Sequence, residues 1–561
     1  MKFELDLSSK SVVLYNEELD SQDEIKLVES LNKLIHDTNQ TTQVKMLVLD
    51  NIQQQLQSQR QSKQRSLEPD NYLNNIYLVG GAVRDLLMKK ESKDMDYVLV
   101  GYNEDKMEQL GFKKVGSEHN FPIFVDDKGT EFALARLERV AQPLEQHDNA
   151  NSKSLYHNFV LETNNVTIEE DLSRRDLTIN SIASKIGLDF KSPLESMSDS
   201  DINKLYNSKH IDFLVDPFNG LQDIKNKQLK HTSEAFQEDP VRILRITRFS
   251  ARYHDNGFQI ADETKNLIQN MLDKNMLSIN DKNITGERVF LEVQKGLSEY
   301  NADVMFQELR GLNALKYVLP ELDNLFGVPQ PEEHHPEIDS GVHSLMVLKQ
   351  ACKMNLSNEA RFAALLHDLG KGVTDKNLLP KHHGHEEAGV PLVEDVCKRL
   401  KVPNTYSRLA NIVCEKHLNI HKAKDLNYKT IFKLLHDKRL KNDEFIDFVK
   451  VCHADATGRL GMENKPYPQA EHMIKLYQAF KQSMSSNEPD SLKNIISQKA
   501  NDITEKGVEA GTSKGKVGEL IKQAVYSLKL GYIKQLNKEI KEKTYEEQLE
   551  VKNRLCCVAS K

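Results

Sequence analysis

Cysteine is scarce in this sequence of 561 residues, which contains six cysteines. No two of them are separated by two residues, so there is no Cys-x-x-Cys pair. The cysteines are too few and too irregularly spaced for the disulfide framework of a secreted protein. We therefore expect a reducing, cytoplasmic location.

Long apolar runs are also missing. No run approaches the roughly 18 residues that a membrane-spanning helix needs, and the mean hydropathy is −0.58. The N-terminal residues 1–7 do not combine a basic segment with an apolar one, so secretion is not expected. Apolar residues make up 39% and charged residues 29% of the chain. This composition is typical of a soluble globular protein, and the length allows several domains.

The sequence lacks an excess of positive charge. Its net charge of −8 and its pI of about 6.2 argue against a nucleic-acid partner. Four arginines nevertheless follow one another at steps of three, three and four, which would place them in one stripe on a helix: Arg242, Arg245, Arg248 and Arg252. A solvated helix face is the ordinary explanation of an isolated stripe. The residues around the stripe must therefore show whether it is such a face or a functional basic surface.

The chain divides into five regions. We predict an N-terminal extension of unknown role (1–70), a mixed α and β head (71–235), a helical neck (236–330), a histidine-rich helical region (331–475) and a charged helical tail (476–561). The polar residues 51–65 are interpreted as a weak helix or linker. Residues 140–165 are predicted to form a long flexible loop, and residues 187–215 an insertion with poor periodicity. Predicted strands are Ile76–Val79, Tyr97–Val100 and Glu131–Arg136.

Asp94 and Asp96 are the most informative residues. On an extended segment both side chains leave the same face, roughly 6.5–7 Å apart along the backbone. Oxygen donors at that spacing can hold Mg²⁺. A double glycine that includes Gly81, and a helix start carrying Arg84, precede them and suit a triphosphate. A phosphate cradle beside a metal pair indicates phosphoryl or nucleotidyl transfer.

Other charged residues could complete this site. Glu131 is the best candidate for a third carboxylate, although it could also be an ordinary acid at a strand end. Arg174 and Arg175 could clamp a triphosphate or form salt bridges at a helix start. Asp239 and Arg242, three residues apart, could read the edge of a base or simply pair with each other.

The order of these motifs carries a resemblance. The chain has Gly-Gly-x-Val-Arg-Asp, Asp-x-Asp, Arg-Arg-Asp and Glu-Asp-x-x-Arg in sequence, with phrases such as Leu177-Thr-Ile-Asn180 and His335-Pro-Glu-Ile-Asp339. From about residue 75 to 475 it resembles the bacterial class II tRNA nucleotidyltransferases, the CCA-adding enzymes of the DNA polymerase beta-like superfamily. The resemblance implies an α+β fold, with a mixed-sheet nucleotidyltransferase head, an all-α neck and body, and an α-helical HD domain.

The resemblance also implies roles for residues. Asp94, Asp96 and Glu131 would be catalytic, with Mg²⁺ on the two aspartates. Asp239 and Arg242 would act as a protein template for CTP and then ATP, and the tRNA acceptor arm would be bound by shape and charge. The other nucleotide-binding residues would be Gly81, Arg84, Arg175, Arg245 and Arg248.

The histidine-rich region contains the run Phe362-Ala-Ala-Leu-Leu-His-Asp-Leu-Gly-Lys371 and resembles an HD domain. Eleven of the 19 histidines lie between His334 and His453. The resemblance implies a metal site made of His343, His367, Asp368 and Asp455, with a transition metal such as Ni²⁺ or Mn²⁺. It implies phosphohydrolase activity on 2′,3′-cyclic phosphates and 2′-nucleotides. For five more histidines a surface or structural role is at least as plausible: His382, His383, His385, His417 and His421. Leu418 stands where relatives often have an acid, which leaves the full ligand set open.

The sequence is also consistent with other functions. One is a poly(A) polymerase, or an enzyme that adds only the C or only the A residues. Another is an HD phosphohydrolase whose head merely binds RNA. The sequence predicts tRNA, CTP and ATP as partners and no membrane, and it leaves a monomer or a homodimer equally open.

Overall fold

The computed structural model describes residues 3–6, 11–14 and 75–559, apart from gaps at 93, 116–121, 128, 141–158, 164, 187–190, 209–210, 280–283 and 442. The first two segments are strands β1 (Phe3–Asp6) and β2 (Ser11–Leu14), which pair antiparallel. Most of the predicted extension, including residues 51–65, lies outside the described residues.

A seven-stranded mixed sheet forms the head. Its strand order is β11-β10-β3-β4-β7-β6-β5, and β4 and β7 run parallel while the other neighbours are antiparallel. The strands are β3 (Ile76–Val79), β4 (Tyr97–Leu99), β5 (Lys113–Val115), β6 (Ile123–Val125), β7 (Glu131–Leu134), β10 (Ala183–Lys185) and β11 (Leu214–Val215). All three strands predicted above are therefore present, although two of them end earlier than expected.

Two predictions about irregular regions are wrong in part. Within 140–165, β9 (Phe159–Glu162) pairs antiparallel with β8 (Leu137–Val140), so a strand pair borders residues 141–158, which lie outside the described residues. Within 187–215, helix α4 (Asp199–Leu205) buries Ile202 in the head core, and β11 forms the edge of the main sheet. Short elements of two to seven residues do not produce a clear periodicity, which is why the sequence pattern missed them.

Five short helices accompany the sheet: α1 (Gly81–Leu87), α2 (Glu104–Gln109), α3 (Ile168–Ser173), α4 and α5 (Gly220–Asn226). Helix α1 begins directly after β3 because Gly80 has φ of +68°, a conformation that a residue with a Cβ rarely adopts. The turn places the start of α1 close to the start of β4.

The rest of the described chain is almost entirely helical, as predicted. The neck contains α6 (Arg242–Arg252), α7 (Asp262–Asp273), α8 (Gly286–Leu297), α9 (Ala302–Gly311), α10 (Leu315–Val318) and α11 (Pro320–Asp323). The histidine-rich region contains α12 (Ser340–Lys353), α13 (Asn358–Leu366), α14 (His385–Arg399), α15 (Asn404–His421), α16 (Tyr428–Leu435), α17 (Glu444–Thr457) and α18 (Pro468–Ser485). The tail adds α19 (Leu492–Glu509) and α20 (Lys514–Ala559). Two further short strands, β12 (Gln228–Leu229) and β13 (Gln259–Ile260), pair parallel at the junction of head and neck.

One apolar core runs from the head through the neck into the histidine-rich region. Helix α13 is largely buried and packs between α12, α15 and α17. Among the described helices, none is both long enough and apolar enough to cross a membrane.

Candidate active sites in the head cavity and in a histidine cluster

A large cavity lies between the head sheet and the neck. Its volume is about 1030 Å³. All ten residues predicted for catalysis and nucleotide binding line it: Gly81, Arg84, Asp94, Asp96, Glu131, Arg175, Asp239, Arg242, Arg245 and Arg248. Residues that are up to 167 positions apart in the sequence therefore meet at one place.

The three predicted catalytic carboxylates lie at the end of the sheet where β4 and β7 begin. Asp94 and Asp96 precede β4 rather than lying within it, and the Asp96 carbonyl accepts from Val79 N–H at 3.0 Å. The parallel register that pairs Tyr97 with Phe132 places Asp96 beside Glu131.

Desolvation raises the pKa of Asp96, and the negative charges of Asp94 and Glu131 add to this effect, while Arg175 opposes it. A divalent cation would relieve that repulsion. In the described parts of the chain, the groups of three residues whose ligand atoms all lie within 4.8 Å of one another are in the histidine-rich region. The ligand atoms of Asp94, Asp96 and Glu131 are therefore spaced more widely than those of the histidine cluster. Mg²⁺ commonly binds through one or two carboxylates together with substrate phosphates, so the set is compatible with it.

The start of α1 faces the same cavity. A Cβ on Gly80 would lie 2.7 Å from a nitrogen of Arg175, so the backbone and this guanidinium are in close approach. Arg84 is buried, and its guanidinium binds Asp85 Oδ1 at 2.9 Å through Nε and contacts the Asn180 side chain. Sequence reasoning did not assign a role to Asn180, although it ends the quoted phrase Leu177-Thr-Ile-Asn180.

Arg174 and Arg175 are held by one buried acid. A capping box between Thr167 and Glu170 begins α3, which places Asp171 inside the head with no exposed side-chain area. Asp171 pairs with Arg174 at 2.7 Å and with Arg175 at 3.1 Å. Burial opposes ionisation of this carboxyl, but the two guanidiniums lower the pKa of Asp171 to about 2. Of the two interpretations, salt bridges and a triphosphate clamp, the salt bridges are present, and Arg175 also faces the cavity.

The Asp171 ion pairs predict a pH dependence of stability. The pKa of Asp171 is about 2 in the folded chain and about 3.9 in an unfolded chain, so the folded state binds this proton less readily. The pairing therefore contributes roughly 2 kcal/mol above about pH 4 and loses it as the pH falls toward 2. We expect Asp171→Asn to lower the urea midpoint at neutral pH, and to lower it progressively less between about pH 4 and 2. Denaturation followed by circular dichroism measures this, and a pH-independent difference from the parent contradicts it.

The predicted arginine stripe exists on α6, and three of its four cations are paired with acids. Arg245 binds Asp176 at 2.7 Å, Arg248 binds Glu292 at 2.9 Å, and Arg252 binds Glu299 at 3.0 Å. Although burial opposes it, Arg248 and Arg245 lower the pKa of Glu292. Arg248 is buried, Arg245 is half-buried and Arg252 is exposed. The stripe thus lines the cavity wall, with its arginines held in defined positions.

The side chains of Asp239 and Arg242 do not pair with each other, although the Arg242 N–H donates to the Asp239 carbonyl at 3.0 Å. Asp239 accepts from Arg288 at 2.6 Å and from Val241 N–H at 3.2 Å. Arg242 donates to the carbonyls of Ala235 at 2.8 Å and Arg174 at 2.5 Å. Sequence reasoning missed Arg288, whose contact to Asp239 spans 49 positions. Both members of the predicted template pair are consequently held by other groups at the cavity.

A second group of functional side chains lies in the histidine-rich region. The four predicted ligands His343, His367, Asp368 and Asp455 are all nearly fully buried and meet at one place. His343 Nε2 lies 3.2 Å from Asp455 Oδ1, and His367 Nε2 lies 3.1 Å from Asp368 Oδ2. The ligand atoms of His343, His367 and Asp455 all lie within 4.8 Å of one another.

His385 and His417 form a further group with Asp368. His385 Nδ1 donates to the His382 carbonyl at 2.7 Å, and His417 Nδ1 donates to the Val413 carbonyl at 3.0 Å. When each neutral ring uses its proton in this way, the two Nε2 atoms are acceptors, and they face each other at 3.5 Å.

The surroundings favour a cation at this point. Asp368 Oδ1 lies 3.3 Å from His385 Nε2 and 3.6 Å from His417 Nε2, and it has no hydrogen-bond partner although it is buried. Burial lowers the pKa of His417 to about 3, which keeps this ring neutral and able to act as a ligand. Burial also opposes protonation of His385, but the Asp368 carboxylate raises the pKa of that ring, so a cation bound here would replace a proton. Three buried acceptors that face one another fit a cation, and imidazole with carboxylate suits a transition metal.

The other three histidines have different surroundings. His421 donates to Asp455 Oδ2 at 2.6 Å and contacts the Tyr467 hydroxyl at 2.7 Å, so it belongs to the cluster. His382 contacts the Thr374 hydroxyl and the Pro329 carbonyl, and His383 is exposed. Leu418 supplies no ligand atom.

Sequence reasoning missed two charged groups beside the cluster. Lys371 lies 2.6 Å from Asp368 Oδ2, and Glu337 lies 2.9 Å from His343 Nδ1. Lys371 stands in the quoted run that ends Leu-Gly-Lys, and Glu337 in the phrase His335-Pro-Glu-Ile-Asp339, so the signal was present without an interpretation.

Comparison with known proteins matches the head, the neck and the histidine-rich region. A family model described as the poly A polymerase head domain matches residues 76–192, one described as the probable RNA and SrmB-binding site of polymerase A matches 257–326, and one described as the HD domain matches 341–457. A multifunctional CCA protein of Teredinibacter turnerae is 42% identical over 465 residues, which are 82% of this chain and 98% of that protein. The chain belongs to the multifunctional CCA protein family.

Further relatives carry the same name. A multifunctional CCA protein of Acinetobacter baumannii is 43% identical over 422 residues, covering 74% of this chain and 92% of that protein. A solved structure described as a CCA-adding enzyme in complex with CTP covers 84% of this chain and 91% of that chain, with 19% identity and a TM-score of 0.48. The placement in the multifunctional CCA family follows from the sequence relatives.

The predicted resemblance and fold class are therefore confirmed. The protein is a tRNA nucleotidyltransferase of the multifunctional CCA family, with a mixed-sheet nucleotidyltransferase head, a helical body and an HD domain. Both domain types imply the use of divalent cations, and the clusters described above supply groups that could bind them.

Proposed function

We propose that this protein builds or repairs the 3′-terminal CCA of tRNA without a nucleic-acid template, from CTP and ATP, with release of pyrophosphate. The observation that carries the proposal is the cavity in which three carboxylates, a glycine turn and a set of fixed arginines meet. The names of the relatives support the same reaction. We further propose that the acceptor arm of tRNA is the polymer substrate, that the enzyme acts in the cytoplasm, and that the five regions 1–70, 71–235, 236–330, 331–475 and 476–561 are its structural divisions.

In this mechanism the head carboxylates Asp94, Asp96 and Glu131 would hold Mg²⁺. The chemistry that Mg²⁺ supplies when bound is a lowered pKa of the tRNA 3′-hydroxyl and neutralisation of the pyrophosphate that leaves. Arg84 and Arg175 bind triphosphate oxygens beside the N-terminus of α1, where helix N–H groups near Gly81 also face the anion. Arg245 and Arg248 contribute positive charge from the opposite wall of the cavity.

The base is selected by Asp239 and Arg242. A carboxylate accepts from the exocyclic amino group of cytosine or adenine, and a guanidinium donates to ring acceptors. Because Arg288 and two backbone carbonyls hold these side chains, their orientation is defined before the nucleotide arrives. Uracil and guanine present a carbonyl where the amino group is needed, and they are rejected by the same geometry.

Arg242→Ala tests this base selection. We expect discrimination of CTP over UTP to fall by about ten- to a hundredfold, since one recognition hydrogen bond is typically worth about 1–3 kcal/mol. Single-nucleotide incorporation measures it for each of the four triphosphates. Arg310→Ala is the matched control, because Arg310 forms a 3.1 Å ion pair with Asp323 on the same neck. Unchanged selectivity in Arg242→Ala would mean that the base is read elsewhere.

Two alternatives are separated by the products. A poly(A) polymerase extends RNA by many A residues, and a partial enzyme adds only C or only A. The match to a poly A polymerase head model applies to the head alone, whereas the relatives named CCA proteins match across 72–82% of the chain. Full CCA addition is for this reason our preferred proposal.

We also propose that the HD domain is a metal-dependent phosphohydrolase. His343, His367 and Asp455 would hold one cation, and Asp368, His385 and His417 would hold another, with Ni²⁺ or Mn²⁺ as suitable ions. The substrate class would be 2′,3′-cyclic phosphates, 2′-nucleotides and related phosphoesters, with Lys371 available to neutralise a phosphate oxygen. The buried acceptors without partners, His367 Nε2 and Asp368 Oδ1, support a cation at this cluster.

A further inference from the structure

One arginine of the HD domain reaches the end of a neck helix. Arg361 lies on α13, is 6% exposed, and is tied at its base by a 2.9 Å hydrogen bond from Nε to the Leu356 carbonyl. Its terminal nitrogen donates to the carbonyls of Leu297 at 2.7 Å and Glu299 at 3.1 Å. These carbonyls lie at and just beyond the C-terminus of α8, where backbone oxygens lack intrahelical partners and a cation is favourable.

Glu299 connects this contact to the nucleotide cavity. It follows the last residue of α8 by two positions, and its N–H donates to the Gly296 carbonyl at 3.1 Å, so the end of the helix and Arg361 together hold its backbone. Its side chain pairs with Arg252 at 3.0 Å and lies 3.8 Å from Arg248, and both of these arginines line the cavity. The backbone of Glu299 is held by Arg361 while its carboxylate holds two arginines of the stripe.

The same helix reaches the HD cluster. Helix α13 has nine residues, and the two residues that follow it are His367 and Asp368. Arg361 at the middle of α13 and the cation ligands at its end therefore belong to one buried element. A second bond from Asn358 Nδ2 to Ser298 Oγ, at 2.7 Å, joins the start of α13 to the same turn of the neck.

We propose that Arg361 is a positioning residue for the nucleotidyltransferase reaction: it fixes the turn after α8 and, through Glu299, the placement of Arg248 and Arg252 against the incoming triphosphate. This inference rests on the proposed nucleotide cavity. Losing the guanidinium removes one of the contacts that hold this turn, Glu299 orients the two arginines less well, and binding of the triphosphate weakens. The carboxylates Asp94 and Asp96 precede β4 of the head and are not held by this turn, so we expect the chemical step to be largely preserved once nucleotide is bound.

A double-mutant cycle on CTP incorporation tests the inference. Arg361→Met keeps the aliphatic stem and removes the guanidinium, and Glu299→Gln removes the charge that orients the arginines. We expect each change to raise KM for CTP about tenfold with kcat within about twofold, and the double variant to be no worse than either single variant. Arg361→Lys, which keeps a cation and a donor, should recover part of the loss in KM.

Arg399→Met is the matched control. Arg399 also extends from the HD domain to the neck, donating to the Val318 carbonyl at 2.7 Å and to Glu321 at 2.8 Å, but it does not contact Glu299. It should lower the thermal midpoint about as much as Arg361→Met while leaving KM for CTP unchanged.

An unchanged KM in a folded Arg361→Met, additive effects in the double variant, or an equal rise of KM in Arg399→Met each overturns the proposal. Absence of CTP incorporation by the parent protein would instead overturn the proposed function.

Discussion

Replacing Asp94 and Asp96 together by asparagine is expected to abolish nucleotide incorporation while CTP and tRNA still bind. The arginines that hold the triphosphate come from α1, from the segment after α3 and from α6, and none of them depends on these two carboxylates. The carboxylates are needed to hold the cations, which stabilise the negative charge that develops in the transition state by several kcal/mol. The rate of incorporation should therefore fall by about a thousandfold or more.

The control for this variant is Asp105→Asn. Asp105 is an exposed acid on α2 of the same head and does not line the cavity. Single-turnover incorporation with saturating CTP measures the chemical step, and a separate titration measures CTP affinity. Residual activity within about tenfold of the parent, in a protein that is fully folded, would show that the two acids do not carry the metals.

The second large effect is expected at Asp368. One of its carboxylate oxygens faces His367 and Lys371, and the other faces His385 and His417, so the residue lies between two possible cation positions. Asp368→Ala should reduce the Ni²⁺ or Mn²⁺ bound by the purified chain from about two ions toward none, and should abolish phosphohydrolase activity. CCA addition should continue, because the head cavity contains none of these residues.

A graded series makes this prediction sharper. His385→Ala should lose the cation shared with His417 and retain the one held by His343, His367 and Asp455. His383→Ala is the matched control, since His383 is exposed and two residues away in sequence. Elemental analysis after dialysis against the metal reports the stoichiometry without any assay of activity. Equal metal content in Asp368→Ala and the parent would contradict the proposed cluster.

The arginine stripe illustrates how far the sequence could be interpreted. A helical period is a local property, so the spacing of Arg242, Arg245, Arg248 and Arg252 is enough to predict one face. The partners Asp176, Glu292 and Glu299 are set by tertiary packing, across separations of 44 to 69 positions in the sequence. Spacing therefore predicted the position of the cations, but not that three of them are paired with acids.

The histidines show the same limit. The sequence does not show which of five histidines bind a metal, because residue type and proximity do not report which carbonyl accepts from Nδ1. These are His382, His383, His385, His417 and His421. The backbone contacts of His385 and His417 leave both Nε2 atoms facing Asp368. The Nε2 atom of His382 instead contacts the Pro329 carbonyl. Short elements such as α4 and β11 were missed for a different reason, since they contain too few residues to show a period.

The most direct test of the account is the sequence that the purified protein adds to a tRNA transcript ending before CCA. With CTP and ATP together the account predicts addition of C, C and A followed by termination, with CTP alone it predicts two C residues, and with UTP or GTP alone almost none. No addition in the presence of Mg²⁺, or a long run of A from ATP alone, would contradict it.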